Sequence, residues 1–382
     1  MEGQTREVLL IEDNPGDARL IQEMLAEAED TRFRVKNAIS LEEGIEDLAK
    51  STYDVVLLDL FLPDSKGLAS VSSVSEEYPD APIVVMTGLR DEKSGLEALR
   101  RGAQDYLVKG HVNPSGLARS IRHAIERHRL ETRLKDTLSE LNTELQTVAD
   151  LQKTLLPSAV PHVSGLEVET FYRPAYRAGG DYFDFFPLSD DRCAIMLADV
   201  SGRGAHAAVI MAMTRVIAHH ASCDDDPAGI LTQMNEELND NIPPGQFVTC
   251  CYGVVDLAER KFTFGLAGHQ PPFYVEGPSA EGTYLATDPR LALGIINGTE
   301  YFEASRELSE GSTLLIYTDG LVDTRSKDGE RFGEERLKET VEEAAGGDAK
   351  DVKDSIVEAL DAHAAGSTSP DDVTFLVLQV RG

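Results

Sequence analysis

The sequence predicts two domains of different fold class: an α/β doubly wound parallel sheet in front and an α+β β-sandwich behind, joined by a long helix. Three observations predict this. Residues 7–125 alternate short apolar strands with amphipathic helices, the pattern of a parallel sheet. Residues 114–156 keep helical periodicity without a break. From about residue 164 short strands come in runs, with helices grouped between them, the pattern of an α+β fold. At 382 residues the chain is also too long for one ordinary domain. The boundaries expected are 1–125, a helical linker at 126–160, and 161–382.

In the front part, VLLIED (8–13) reads as a buried strand, and the residues after Pro15 as a helix. FRVKNAIS, DVVLLDL (54–60), PIVVMTG (82–88) and DYLVK (105–109) read as four more strands with helices between them. Chemistry in such sheets gathers at the carboxyl ends of the strands. Glu12, Asp13, Asp59, Thr87 and Lys109 all fall there.

The linker carries Leu134, Leu138, Leu141, Leu145, Val148, Gln152 and Leu155 at spacings of 4,3,4,3,4,3. That is a heptad seam with one polar member, Gln152. It fits two arrangements, a homodimer through residues 120–156 or a helix packed on its own domains. Pro157 and Pro161 end it. Behind it, helical stretches are expected at 204–221, 226–240, 334–345 and 350–365, among seven strands.

Composition excludes several functions. The formal net charge of −31, from 67 acids and 36 bases, repels a DNA backbone. No helix-turn-helix or basic patch appears, so a transcription factor is disfavoured. The four cysteines, Cys193, Cys223, Cys250 and Cys251, have no metal-ligand spacing, and a reducing cytoplasm suits them. The N-terminal apolar run is too short for a signal peptide, and no stretch is long enough to span a bilayer. Neither nucleic acid nor membrane is expected as a partner.

Three carboxylates close together at the front need a cation, and hard oxygen ligands suit magnesium. A carboxylate beside such an ion can attack phosphorus. Thr87 can hydrogen-bond a phosphoryl oxygen, and Lys109 supplies positive charge. With EDNPGDARL, LLDLFLPD, MTG and DYLVKG, residues 5–125 resemble the response-regulator receiver domain. The resemblance implies a flavodoxin-like fold, Asp59 as phosphoacceptor, and a histidine kinase as partner. It implies magnesium at Asp13, Asp59 and the Phe61 carbonyl, with Glu12 assisting, and Thr87 and Tyr106 as the switch pair. Gly110 departs from the family, which places proline after the lysine.

At the rear, four acidic motifs recur at strand or loop ends: GGDYFD (179–184), ADVSGRG (198–204), YTDG (317–320) and SPDDVT (369–374). Glycine beside an acid allows close backbone approach. Several carboxylates with little balancing base suggest a two-metal site. Residues i and i+3 of a strand face opposite sides, so Asp181 and Asp184 should not both bind metal unless the backbone bends, and the same holds for Asp371 and Asp372. About residues 150–382 resemble the PPM (type 2C) serine/threonine phosphatases, in the bacterial branch that acts on anti-sigma-factor antagonists. LQKTLLP and AGHQPPF (267–273) also match that branch. The resemblance implies Asp181, Asp199, the Val200 carbonyl, Asp319 and Asp371 as the shell of two magnesium or manganese ions, with Asp184 and Asp372 in supporting roles. The branch often has histidine where Arg203 stands. Arg203 then either meets a substrate phosphate or is a solvated base, and His269 is either a catalytic acid or a turn residue.

The function expected is a protein phosphatase controlled by phosphorylation of Asp59. Its expected substrate is phosphoserine or phosphothreonine on an anti-sigma-factor antagonist. The alternative is a phosphorylation-controlled binding scaffold with an inactive phosphatase fold; the intact metal aspartates disfavour it.

Overall fold

The computed structural model describes residues 5–28, 31–88, 92–221, 226–278, 280–367 and 369–381. Two compact units result, Met1–Glu140 and Leu141–Gly382.

The front unit alternates β1 (Arg6–Ile11), α1 (Pro15–Ala26), β2 (Phe33–Ala38), α2 (Leu41–Lys50), β3 (Val55–Asp59), α3 (Leu68–Glu77), β4 (Ile83–Thr87), α4 (Glu92–Arg100) and β5 (Asp105–Val108), then enters α5 (Pro114–Leu155). All pairings are parallel, in the order β2-β1-β3-β4-β5. Both faces are covered, so each strand divides its residues between two cores. Leu9, Ile11 and Leu58 enter one, and Val8, Leu10 and Leu57 the other. The chain reverses its winding between β1 and β3, which opens a crevice at their carboxyl ends. There Asn14 caps α1 by accepting from the amides of Gly16 and Asp17, with Pro15 beginning the helix. This tight strand-to-helix turn fixes Glu12 and Asp13 at the crevice.

The rear unit follows with β6 (Leu166–Arg173), β7 (Tyr182–Ser189), β8 (Arg192–Val200), α6 (Ala205–Ala221), α7 (Pro227–Asn241), β9 (Val248–Asp256) and β10 (Lys261–Ala267). Next come β11 (Phe273–Val275), β12 (Thr283–Tyr284), β13 (Glu303–Glu307), β14 (Thr313–Tyr317), α8 (Asp319–Asp323), α9 (Gly333–Ala344), α10 (Ala349–Ala364) and β15 (Val373–Val380). Two antiparallel sheets form, β13-β10-β9-β8-β7 and β12-β11-β14-β15-β6. Alternate residues separate the layers. Phe183, Ile195, Cys251, Ile316 and Leu376 fill the space between the sheets. Tyr182, Met196 and Tyr252 face a core shared with α6 and α7, while Leu315 and Phe375 face α9 and α10. Helices thus cover both outer faces of the sandwich, which explains the continuous apolar runs in its strands.

Four elements were not anticipated: β11, β12, β13 and α8. The sequence EASRE of β13 is polar and carries no strand signal; it becomes an edge strand by pairing with β10. Cys193, Cys250 and Cys251 are buried free thiols, and Cys223 lies outside the described residues.

The heptad divides along α5. Leu134, Leu138 and Leu141 are exposed, whereas Val148 and Leu155 pack within the rear unit. Gln152 is buried and spans both backbone polar groups of Gly179: its amide donates to the carbonyl, and its oxygen accepts from the N–H at 2.9 Å.

Candidate active site and phosphoacceptor site

The parallel sheet brings Glu12, Asp13 and Asp59 together, with one carboxylate oxygen of each within 4.8 Å of the others. Lys109, arriving from the end of β5, donates to Glu12 at 2.5 Å, Asp59 at 2.7 Å and Asp17 at 3.0 Å. Asp17 is a contact the sequence did not single out, although it lies in the quoted EDNPGDARL segment. Burial pushes the Glu12 carboxyl up to about 7; Asp59 adds to this, and the hydrogen bond from Lys109 works against it. Burial also opposes charge on Lys109, but its bonds to Asp59, Glu12 and Asp17 outweigh that and hold the ammonium protonated. Thr87 is fully buried and its hydroxyl reaches the Leu107 carbonyl at 3.4 Å. Tyr106 lies against Gly95, where even a methyl group would collide with the ring. The Phe61 amide donates to the Asp59 carboxylate at 3.3 Å. Gly110 adopts a φ of 84°, a conformation closed to proline. The carboxylate triad is a donor set of hard oxygens that fits magnesium.

In the rear unit the four aspartates converge because of antiparallel topology. Asp181 precedes β7 and Asp199 is near the end of its partner β8; Asp319 follows β14 and Asp371 precedes its partner β15. The two sheets meet at Asp181, whose carboxylate accepts from Thr318 at 2.9 Å and from Thr374 at 2.5 Å. Neither threonine is marked by its own residue type, though Thr318 adjoins Asp319 and Thr374 closes the SPDDVT motif. Close approach explains two glycines. A Cβ at Gly180 would stand 2.7 Å from the Val200 carbonyl oxygen, and one at Gly320 would stand 1.8 Å from that of Asp372.

Burial and neighbouring carboxylates raise all four aspartates. Asp181 is fully buried, and burial together with Asp199 and Asp372 pushes its carboxyl well up. Burial, then Asp319 and Asp371, pushes Asp199 up to about 8. Asp319 and Asp371 are raised too, first by burial. No positive charge is prominent in offsetting this at Asp181 or Asp199. The four do not share one compact triad as the front carboxylates do; their coupling runs pairwise. Hard oxygens spread in this way fit more than one divalent ion.

The neighbouring acids do other work. Asp372 accepts from the amides of Ala175 at 2.7 Å and Gly180 at 2.5 Å, tying down the loop before Asp181. Asp184 points to the helix side of β7, where it accepts from the Tyr182 hydroxyl and pairs with His219 of α6 at 2.8 Å. His269 is buried against the Thr249 hydroxyl at 2.9 Å, and burial lowers its pKa to about 4. Thr249 lies across the ladder from Asp199, so His269 stands behind the cluster as a neutral imidazole. Arg203 is exposed at the rim, with its guanidinium on the Tyr176 hydroxyl at 2.6 Å.

A receiver domain followed by a metal-dependent protein serine/threonine phosphatase domain is the class that this fold and these sites define. Comparisons with known proteins agree. A profile described as Stage II sporulation protein E (SpoIIE) matches residues 189–381, more than half of the chain, and the chain belongs to that family. Asp199, Asp319 and Asp371 lie within the match and Asp181 just ahead of it. A response-regulator receiver profile matches residues 8–122. The chain is 27% identical over 255 residues to phosphoserine phosphatase RsbU of Bacillus subtilis, a match covering 64% of this chain and 72% of that one. It is 27% identical over 274 residues to protein IcfG of Synechocystis, covering 64% of this chain and 42% of IcfG. The chain therefore spans well under half of IcfG. In fold it is similar to the SiaA-PP2C domain of Pseudomonas aeruginosa, with a TM-score of 0.56 and 20% identity over 64% of this chain and 98% of that one. Among the described residues no helix is long and apolar enough to cross a membrane.

Proposed function

We propose that this chain hydrolyses phosphoserine or phosphothreonine on a protein partner, under control of phosphorylation at Asp59. The observation that carries this is the convergence of Asp181, Asp199, Asp319 and Asp371 at one end of the sandwich, with carboxyls raised first by burial and no compensating base at the two most buried. Similarity to a phosphoserine phosphatase supports the substrate class, and an anti-sigma-factor antagonist is the partner it suggests. Two magnesium or manganese ions at these aspartates and the Val200 carbonyl would supply Lewis acidity for attack by water on phosphorus. The chain's own residues prepare that step. Thr318 and Thr374 fix the Asp181 carboxylate, and Asp372 fixes the loop ahead of it. In the hydrolysis a water oxygen bonds phosphorus, the ester P–O bond breaks, and the serine or threonine oxygen takes up a proton.

In the front unit, Asp59 is the nucleophile for a phosphoryl group delivered by a histidine kinase. Its oxygen bonds phosphorus as the donor P–N bond breaks. Magnesium at Asp13, Asp59 and the Phe61 carbonyl, with Glu12 assisting, would offset the incoming charge. Lys109 contributes a fixed positive charge, and Thr87 with Tyr106 would shift on phosphorylation. The exposed Leu134, Leu138 and Leu141 support a homodimer through residues 120–156. A cytoplasmic location suits both partners.

The test is hydrolysis of a phosphoserine protein by the full chain with Mn2+, with and without acetyl phosphate. Wild type should turn over and Asp199→Asn and Asp319→Asn should not. Acetyl phosphate should change the rate in wild type but leave Asp59→Asn unaffected. Equal turnover by wild type and Asp199→Asn would remove the rear cluster from the mechanism. Tight partner binding without turnover under any metal would favour a scaffold.

A further inference from the structure

Arg203 has a charge that the folded chain leaves unspent. It sits on the loop between β8 and α6, four residues after Asp199 and between Gly202 and Gly204, whose φ values are 97° and 72°. The loop is held by Ser201, whose hydroxyl accepts from the Phe247 amide at 2.9 Å and meets Gln246 at 3.1 Å. One guanidinium N–H is used on the Tyr176 hydroxyl, and Cζ lies 5.3 Å from the centre of that ring. Among the described residues Arg203 forms no ion pair within 4 Å, despite the surplus of acid in the chain. By contrast Arg331, the cation that acts on Asp319, is paired with Asp323 at 2.9 Å.

Tyr176 is equally placed. It lies on the loop leading to Asp181, and its neighbour Ala175 is bonded to Asp372 while Gly179 is bonded to Gln152. Two tied-down segments, one following Asp199 and one leading to Asp181, therefore hold one guanidinium between them. Arginine offers five N–H donors in a planar fork suited to phosphate oxygens, and four remain here.

We propose that Arg203 is the receptor for the substrate's phosphate monoester dianion, held in place by Tyr176. This rests on the phosphatase activity proposed above. It resolves the choice that the sequence left open between a phosphate contact and a solvated base.

The experiment uses the full chain saturated with Mn2+, in wild type, Arg203→Ala, Arg203→Lys and Tyr176→Phe forms. It measures the affinity for Mn2+, the affinity for inorganic phosphate by calorimetry, and kcat and KM with p-nitrophenyl phosphate. A lost charge-assisted contact should weaken phosphate binding and raise KM about 10- to 100-fold in Arg203→Ala, with Mn2+ affinity within about twofold. Arg203→Lys should recover part of this as a point charge, and Tyr176→Phe should cost about threefold, since it removes only the hydroxyl contact. Phosphate affinity and KM both within about twofold of wild type in Arg203→Ala would overturn the proposal. So would an equal loss of Mn2+ affinity, the mark of a structural role. If Arg203→Ala does not fold, an unchanged phosphate affinity in both Arg203→Lys and Tyr176→Phe overturns it as well. A wild type that binds phosphate yet hydrolyses no phosphoester would refute the phosphatase activity, while the binding comparison would still decide the role of Arg203.

Discussion

Gln152→Leu separates two roles that a polar residue in an apolar seam can have. If Gln152 only specified a helix partner, leucine would improve the seam. Here its side chain satisfies both the N–H and the carbonyl of Gly179, and all of these groups are buried. Leucine keeps the volume and leaves both backbone groups unsatisfied, at about 1–3 kcal/mol each. Extra apolar burial by leucine offsets about 1–2 kcal/mol of this. With mid-range values for each, the net loss expected is about 2–3 kcal/mol in a unit spanning Leu141–Gly382. For a unit of that size this lowers Tm by roughly 4–12 °C. Gly179 precedes Gly180 and Asp181, so the loosened loop should also weaken Mn2+ binding and reduce kcat. The assay is thermal unfolding of the full chain, with Mn2+ titration and turnover at matched protein concentration. A Tm equal to or above that of wild type, with unchanged Mn2+ dependence, would refute the link between helix and loop.

Three further outcomes follow from the site. Asp199 is raised from 3.8 to about 8, so the stability it contributes is present below the ordinary carboxylate range and is lost as pH rises through about 8. A metal ion displaces that proton, so Mn2+ affinity of the rear site should rise about tenfold per pH unit from 6 to 8. Calorimetry in an Asp13→Asn/Asp59→Asn background checks this, and a flat profile contradicts it. Asp372→Ala strands the amides of Ala175 and Gly180 and should cost about 2–4 kcal/mol in urea unfolding, with reduced Mn2+ affinity. Asp184→Asn should leave Mn2+ affinity within about twofold, because its carboxylate faces Tyr182 and His219; a large loss would place it among the metal ligands.

Much of the fold was legible in the sequence because its strands are continuous apolar runs, buried on both faces and bounded by glycine and acid. The front cluster was legible for a further reason. In a parallel sheet, strand ends are ligand positions, so Glu12, Asp13, Asp59, Thr87 and Lys109 declared themselves by place alone. Asp17 was not legible, because its approach to Lys109 depends on how α1 leaves its cap. β13 was hidden for another reason: its strand character comes from pairing with β10 rather than from its own residues.

The sequence by itself determined the two fold classes, the single linking helix and the identity of the acids at the strand ends, all set by local periodicity and motif. Only the tertiary structure decided which polar groups share a site. It sent Asp184 to the helices and Asp372 to the loop amides, joined Asp181 to Thr318 and Thr374, and gave Gln152 to Gly179. It also left Arg203 without an ion pair, set against Tyr176. The physical reason is that buried polar groups must find partners, and those partners lie up to 197 residues apart in the chain. No local pattern encodes such a distance; the packing of two sheets does.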